Sequence, residues 1–351
     1  MQDSGLFRAL VGACAGVAVG ICATAPRAES VRDFYSKNTL KILVGTAVGG
    51  SYDLMGRLTG RHIARHIPGN PPILVQNMPG GGSLIASNHL YNVAPQDGSV
   101  LGAVVPGIIF TALFREKSAR YDPTRFHWIG NAMDAVSVPT LFHTAPIKSL
   151  EDMKTEGAIM GAGGISSMDA TNAFLMNALL GTRIKVVQGY KGGDAINLAM
   201  ESGEIHGRAS QAWAAWKAIK PDWLRDGKLI PVLQFSLKPI NDPRLKDVPL
   251  LVDLVKSEED RQIARAYTSV AILGRPMVVG PGVLIDRVAA LRKAYAAMVE
   301  DAAFLADARK QRVDIAFIRG ENIQAMVNET WSLDTVHVNR LRSIIRKKKA
   351  K

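Results

Sequence analysis

A strand-type run, a loop of glycines and small residues, and a helix follow one another repeatedly along this chain, and that order restricts it to an α/β architecture. Leu40-Lys41-Ile42-Leu43-Val44 is apolar and short, ends at Gly45 and leads to Gly49-Gly50-Ser51. Leu54, Met55, Leu58 and Ile63 then recur at helical spacing until Pro68-Gly69 stops them. Ile73-Leu74-Val75 reads as a second strand, entering Pro79-Gly80-Gly81-Gly82-Ser83 and a helical stretch through Leu90. Residues 100–105 read as a third strand, broken by Pro106-Gly107. The pattern restarts at Ala158-Ile159-Met160, which leads into Gly161-Ala162-Gly163-Gly164. A helix to Leu180 follows, closed by Gly181, with Ser166 and Asp169 at capping-box spacing. Residues 184–187 are another strand, turning at 189–193 into a helix that stops at Gly203. Ile205 opens a short strand, and 229–235 is a further strand candidate. Residues 284–327 read as helix-rich and are expected to pack back on the first block, where their apolar faces find a partner.

A chain of 351 residues is long enough for two such lobes, and 47% hydrophobic with 21% charged residues is a globular composition. The two cysteines, Cys14 and Cys22, both lie in the first 25 residues. The body therefore has no disulfide framework, thiolate metal site or cysteine nucleophile. Arg8 precedes an uncharged run of small and apolar residues over 9–25, and small residues surround Ala23, Ala25 and Ala28. This pattern predicts an export signal over residues 1–28 that is cleaved, with a retained anchor as the alternative. The net charge is +12, but residues 340–351 hold seven basic groups and no acid, and residues 1–28 add +1, leaving +4 for the body. The basic tail contains no aromatic residue, which argues against nucleic acid and reads as a solvated helix end.

The loops carry the candidate chemistry. A helix start exposes unpaired N–H groups and the positive end of a dipole, and glycine lets a ligand approach the main chain. Four such loops occur, at 49–53, 79–83, 163–169 and 189–193. In an open α/β sheet, loops after parallel strands share one edge, so two lobes with facing edges would enclose an anion. Tyr52, Lys191 and Arg208 are the side chains expected to supplement main-chain donors, and Asp53 is expected to cap its helix and order its loop. No Lys follows Gly50, so a triphosphate loop is not indicated, and Ser166 stands where a dinucleotide fingerprint needs glycine. His62 and His66 have i,i+4 spacing without the accompanying Glu of a metal site, and read as two solvated histidines. No nucleophile elbow or histidine–carboxylate set appears, so no catalytic residue, metal or cofactor is expected. Trp213, Trp216 and Trp223 read as packing residues.

Several segments together resemble the extracytoplasmic receptors of tripartite tricarboxylate transporters, the Bug family. They are Lys41-Ile42-Leu43-Val44 leading to Gly49-Gly50-Ser51-Tyr52-Asp53, Val75-Gln76-Asn77-Met78-Pro79-Gly80-Gly81-Gly82-Ser83, Ala94-Pro95-Gln96-Asp97-Gly98, Tyr190-Lys191-Gly192-Gly193 and Asp247-Val248-Pro249. The resemblance implies a two-lobed periplasmic-binding-protein type II fold, each lobe a mainly parallel sheet flanked by helices. It implies a periplasmic, monomeric protein that holds a mono- or dicarboxylate in the cleft and delivers it to membrane permease subunits. By position, the family's binding loops fall on Val48, Gly49, Gly50, Ser51, Tyr52 and Asp53, on Gly80, Gly81, Gly82 and Ser83, on Gly163, Gly164, Ser166 and Ser167, and on Tyr190, Lys191, Gly192 and Gly193, with Arg208 suited to a second acidic group. Tyr52 stands where the family commonly has a small hydroxyl residue. The expected division is lobe 1 over 36–130 and 268–335, lobe 2 over 131–267, and a basic tail from 336. A ligand-sensing subunit and an enzyme acting on a carboxylated substrate are the alternatives.

Overall fold

The structure, a computed structural model, describes residues 29–133, 135–163 and 167–345. The expected signal (1–28), Gly164 and Ser166 of the third loop, and residues 346–351 of the tail lie outside the described residues.

Helix α1 (Val31–Lys37), capped by the Ser30 hydroxyl, precedes β1 (Leu40–Val44) and α2 (Ser51–His62). Then come β2 (Ile73–Asn77), α3 (Leu84–Asn92), β3 (Val100–Ala103), α4 (Ile108–Leu113) and β4 (His127–Met133). Strand β1 pairs in parallel with β2 and β3, with Leu40 opposite Ile73 and Lys41 opposite Val100. Parallel pairing sends the loops after all three strands out of one edge. Helix α2 lies close on this sheet through glycines one turn apart. A Cβ on Gly56 would stand 2.6 Å from Val44, and one on Gly60 2.9 Å from Val75.

The second sheet takes β5 (Thr140–Phe142), α5 (Leu150–Thr155), β6 (Ala158–Ala162), α6 (Met168–Leu180), β7 (Ile184–Gln188), α7 (Gly193–Glu201) and β8 (Gly207–Arg208). Helices α8 (Trp213–Ile219) and α9 (Pro221–Arg225), strand β9 (Leu229–Pro231), and helices α10 (Leu251–Leu254) and α11 (Glu258–Ala271) complete it. The chain then returns through β10 (Met277–Val279), α12 (Ile285–Glu300), α13 (Ala302–Lys310), β11 (Ile315–Arg319), α14 (Gly320–Trp331) and α15 (Thr335–Ile345). The sheets run β11-β4-β10-β3-β1-β2 and β7-β6-β8-β5-β9. In the first, β10 and β11 oppose the other four strands; in the second, β5 opposes the rest.

Helices α12 and α14 pack back on β4, but α15 packs on α6 and α11 instead. Leu341 and Ile344 of α15 are buried, so residues 336–345 of the expected tail form a packed helix and not a solvated end. One buried cluster joins Phe110 of α4 and Phe114 just after it to Phe235 and Tyr267 beside the second sheet, so the core is continuous between the sheets. Trp213, Trp216 and Trp223 are all buried.

His62 and His66 differ from the expectation of two solvated histidines. His62 Nε2 lies 2.8 Å from Asp307 Oδ2, and His66 Nε2 lies 3.0 Å from Asp301 Oδ2. Arg61 and Arg65 donate to the same two carboxylates at 2.9 and 2.8 Å. Arg61-His62 closes α2 and Arg65-His66 lies in the short 3-10 turn after it; the first pair meets Asp307 on α13 and the second meets Asp301, which caps that helix, so the histidines hold acids and not solvent. The hydrogen bond from His62, with Arg61 and Gln311, outweighs burial and pushes the Asp307 carboxyl down to about 2. A carboxyl depressed in the folded state contributes stability above its unfolded pKa and loses it as pH falls. Asp307→Asn is therefore expected to flatten the decline in unfolding midpoint between about pH 4 and pH 2, measured by urea unfolding across that range.

Candidate functional site

At the first sheet's loop edge, side chains lock the loops together. Asp53 accepts hydrogen bonds from the Gly49 amide (3.0 Å), from Arg57 Nε (3.1 Å) and from Asn77 Nδ2 (2.9 Å). Burial raises its carboxyl, but these donors and the Arg57 charge outweigh that and hold it below the usual carboxylate range. Asp53 thus orders its loop, while the helix cap is Gly50, without a side-chain bond. Asn77 also donates to the Thr46 carbonyl at 3.0 Å, tying the ends of β1 and β2.

Gly80, Gly81 and Gly82 all have positive φ, and Ser83 follows in the left-handed region at 72°. This run requires glycine and turns the buried Ser83 hydroxyl inward, where it donates to the Gly45 carbonyl (3.1 Å) and accepts from the Val105 amide (3.0 Å). A Cβ on Gly45 would collide with Ser83. Ser83 therefore fastens the loops after β1, β2 and β3, with its side chain buried between them. Ser83→Ala leaves a buried amide and carbonyl unpaired and is expected to cost about 1–3 kcal/mol in urea unfolding.

The second sheet gathers its own group. The Tyr190 amide donates to Ala162 at 3.4 Å, an added Cβ on Gly163 would lie 3.4 Å from the Tyr190 carbonyl, and the Tyr190 hydroxyl donates to Glu204 at 2.6 Å. Gly192, at φ 103°, precedes α7, and Lys191 is exposed beside it. Ser167, not Ser166, caps α6, accepting from the Ala170 amide at 3.3 Å. Asp169 does not complete a capping box, because Arg208 takes it. Arg208 Nε and Nη2 grip the two Asp169 oxygens at 3.2 and 3.1 Å, and Nη1 reaches Asn197 at 3.3 Å. Arg208 is 5% exposed and Asp169 9%. Arg208 does make a bidentate contact, but with an internal carboxylate. Burial raises the Asp169 carboxyl, against the opposing pull of Arg208 and the Ser210 amide.

Between these edges lies a cavity of about 1660 Å³. It is lined from the first sheet by Tyr52 and the Val105-Pro106-Gly107 turn, from the second by Ser137, Met168 and Ser210, and at the crossings between sheets by Met133, Gly274 and Arg275. Of the expected residues that are described, Tyr52 alone is part of this lining; the other described loop residues stand in two groups, one on each sheet edge. The bulky Tyr52 does not fill the cavity. Its hydroxyl donates to the Gly274 carbonyl at 3.0 Å, and its ring lies under Arg275, whose guanidinium carbon is 5.1 Å from the ring centroid. Burial raises the Tyr52 phenol, with Arg275 pulling the other way.

Arg275 was not legible as a site residue. Its amide donates to Asn131 Oδ1 at 2.9 Å, while Nε and Nη2 donate to Ser51 Oγ at 3.1 and 2.7 Å. No carboxylate among the described residues pairs with it. A guanidinium with no acid partner among the described residues, facing a cavity beside a serine hydroxyl and the start of α2, has the donor chemistry to receive an oxyanion. Arg312 and Arg342 also line the cavity and are exposed. Asp314, an acid of the lining, is 3.7 Å from Lys217. Among the described residues no group of three or more His, Cys, Asp or Glu could hold a metal, and no helix is long and apolar enough to cross a membrane.

No family model and no curated protein matches the chain. Solved structures do. A ligand-free TctC solute-binding protein from Polaromonas has a TM-score of 0.68 at 18% identity, covering 90% of this chain and 100% of that one. MatC from Rhodopseudomonas palustris with bound malate gives 0.55 at 18%, covering 88% and 99%. An R. palustris protein with adipate gives 0.57 at 18%, covering 88% and 97%. The chain has the two-lobed fold of the periplasmic binding proteins. Within that class its fold is the one found in TctC and Bug solute-binding proteins, as the sequence motifs implied.

Proposed function

We propose that this protein is an extracytoplasmic solute-binding protein that captures a small organic carboxylate for a tripartite tricarboxylate-type transporter. The observation that carries the reading is Arg275: a guanidinium held by Ser51 and stacked over Tyr52, without an acid partner among the described residues, in the wall of a cavity between two lobes. Main-chain amides at the start of α2 add to its field, and closure of the lobes strengthens both by excluding water. The periplasmic location follows from the binding-protein fold and from the signal read over 1–28; the permease partner follows from the likeness to TctC and Bug proteins; the monomeric state is part of the same reading. The neighbours are named as binding proteins, which agrees with a non-enzymatic role. Lys191, Gly192 and Gly193 belong to the opposing lobe and would reach the ligand on closure.

The test is a screen of organic acids against the purified protein by thermal shift and calorimetry. A stabilising acid recovered unchanged supports a receptor. Turnover of an acid, or the absence of binding by every carboxylate in the screen, overturns it.

A further inference from the structure

We infer that the ligand of this cavity is a carboxylate monoanion with a long or bulky apolar body, and not a short dicarboxylate; this rests on the receptor reading above. Among the described residues the cavity offers one half-buried cation, Arg275, and past it runs an apolar stretch of wall. Phe110 stacks on Phe114 (centroids 5.9 Å apart, planes at 14°) and on Tyr267 (5.8 Å, 7°), forming an aromatic wall continued by Met168 and Val270.

Most hydroxyls along the walls are committed elsewhere, although the lining also holds the Gln211 and Asn339 amides. Thr111 donates to Gly107 at 3.1 Å, Thr171 to Ser167 at 3.0 Å, and Tyr267 to Asn172 at 2.7 Å. Ser137 and Ser210 share one hydrogen bond at 3.1 Å, which leaves one hydroxyl hydrogen between them, and Tyr52 is spent on Gly274. A second carboxylate set against the wall of Phe110, Phe114 and Tyr267 would meet carbon where it needs donors, and an ionised group desolvated without partners is strongly disfavoured. An alkyl or aryl body there gains from burial instead. The size agrees: about 1660 Å³ is beyond the 300–1,000 Å³ of ordinary small-molecule sites. Arg312 and Arg342 are exposed, so they draw anions toward the cavity without supplying a second buried clamp.

The full chain is titrated by calorimetry with butyrate, hexanoate, octanoate and decanoate, then with 3-phenylpropionate, and in parallel with malate, succinate and adipate. Affinity is expected to rise about fourfold per methylene along the monocarboxylates while the body is being buried. The longer monocarboxylates should bind at least about tenfold more tightly than any of the dicarboxylates. Arg275→Gln should weaken the whole series by a similar factor and leave its slope unchanged. Ala271→Glu, which puts a charge in the apolar wall, should abolish the slope, and serves if the Arg275 variant fails to fold. A flat series, or tighter binding of malate, succinate or adipate, overturns this inference and leaves the receptor standing. Binding by neither kind of acid overturns the receptor reading itself.

Discussion

Arg208→Met is expected to lower the unfolding free energy by about 3–5 kcal/mol, because it leaves the Asp169 carboxylate buried with its main partner gone. The geometry supports so large a value: two donors meet two acceptors, and both side chains are almost fully enclosed. Replacing both members, as Arg208→Met with Asp169→Leu, should recover much of the loss, since the cost lies in the orphaned charge more than in the missing attraction. Guanidinium unfolding of the two single variants and the double variant measures this. A single variant within about 1 kcal/mol of the parent would mean that water reaches the pair.

Trp216→Ala is expected to cost a similar amount, about 3–5 kcal/mol, by emptying a fully buried site. The ring stands 5.7 Å from Trp223, and the Arg208 guanidinium lies 5.8 Å from it. The two substitutions therefore share a neighbourhood, and the double variant Arg208→Met, Trp216→Ala should lose less than the sum of the single losses. Chemical denaturation of the three variants gives the coupling directly. Because α8 supplies Ala214, Ala215 and Ile219 to the cavity, the same vacancy should also weaken ligand capture.

The elements that could be read in advance were those whose identity is local. Strands β1, β2, β6 and β7 are apolar runs that end at or just before glycine or proline, and their parallel pairing follows from the helices between them. Strand β4 was missed because His127, Gly130 and Asn131 interrupt its apolar pattern; it is a strand because β10 and β11 come back from far along the chain to flank it. Strand β10 has three residues after Pro276, and β11 is an edge strand of half-buried residues, so neither carries an alternating signal. The 229–235 candidate shrinks to β9, Leu229–Pro231, beyond which the chain pairs only through isolated bridges.

The site was legible to the same extent. Glycine loops declared themselves through composition, and parallel pairing put those of each sheet on one edge. Which charged side chain is free cannot be read locally. Arg208 and Arg275 are both arginines beside short strands; one is consumed by Asp169 and the other is not, and only long-range packing decides. Gly274-Arg275-Pro276, a break after a long helix, was the available signal for the second.

Helix α15 rests on α6 and α11, and its own Asn339, Arg342, Ser343 and Ile345 form part of the cavity wall. Cutting the chain before Thr335 would therefore take away more than a surface helix: it would remove these four residues of the chamber's wall and uncover the faces of α6 and α11 on which the helix rests.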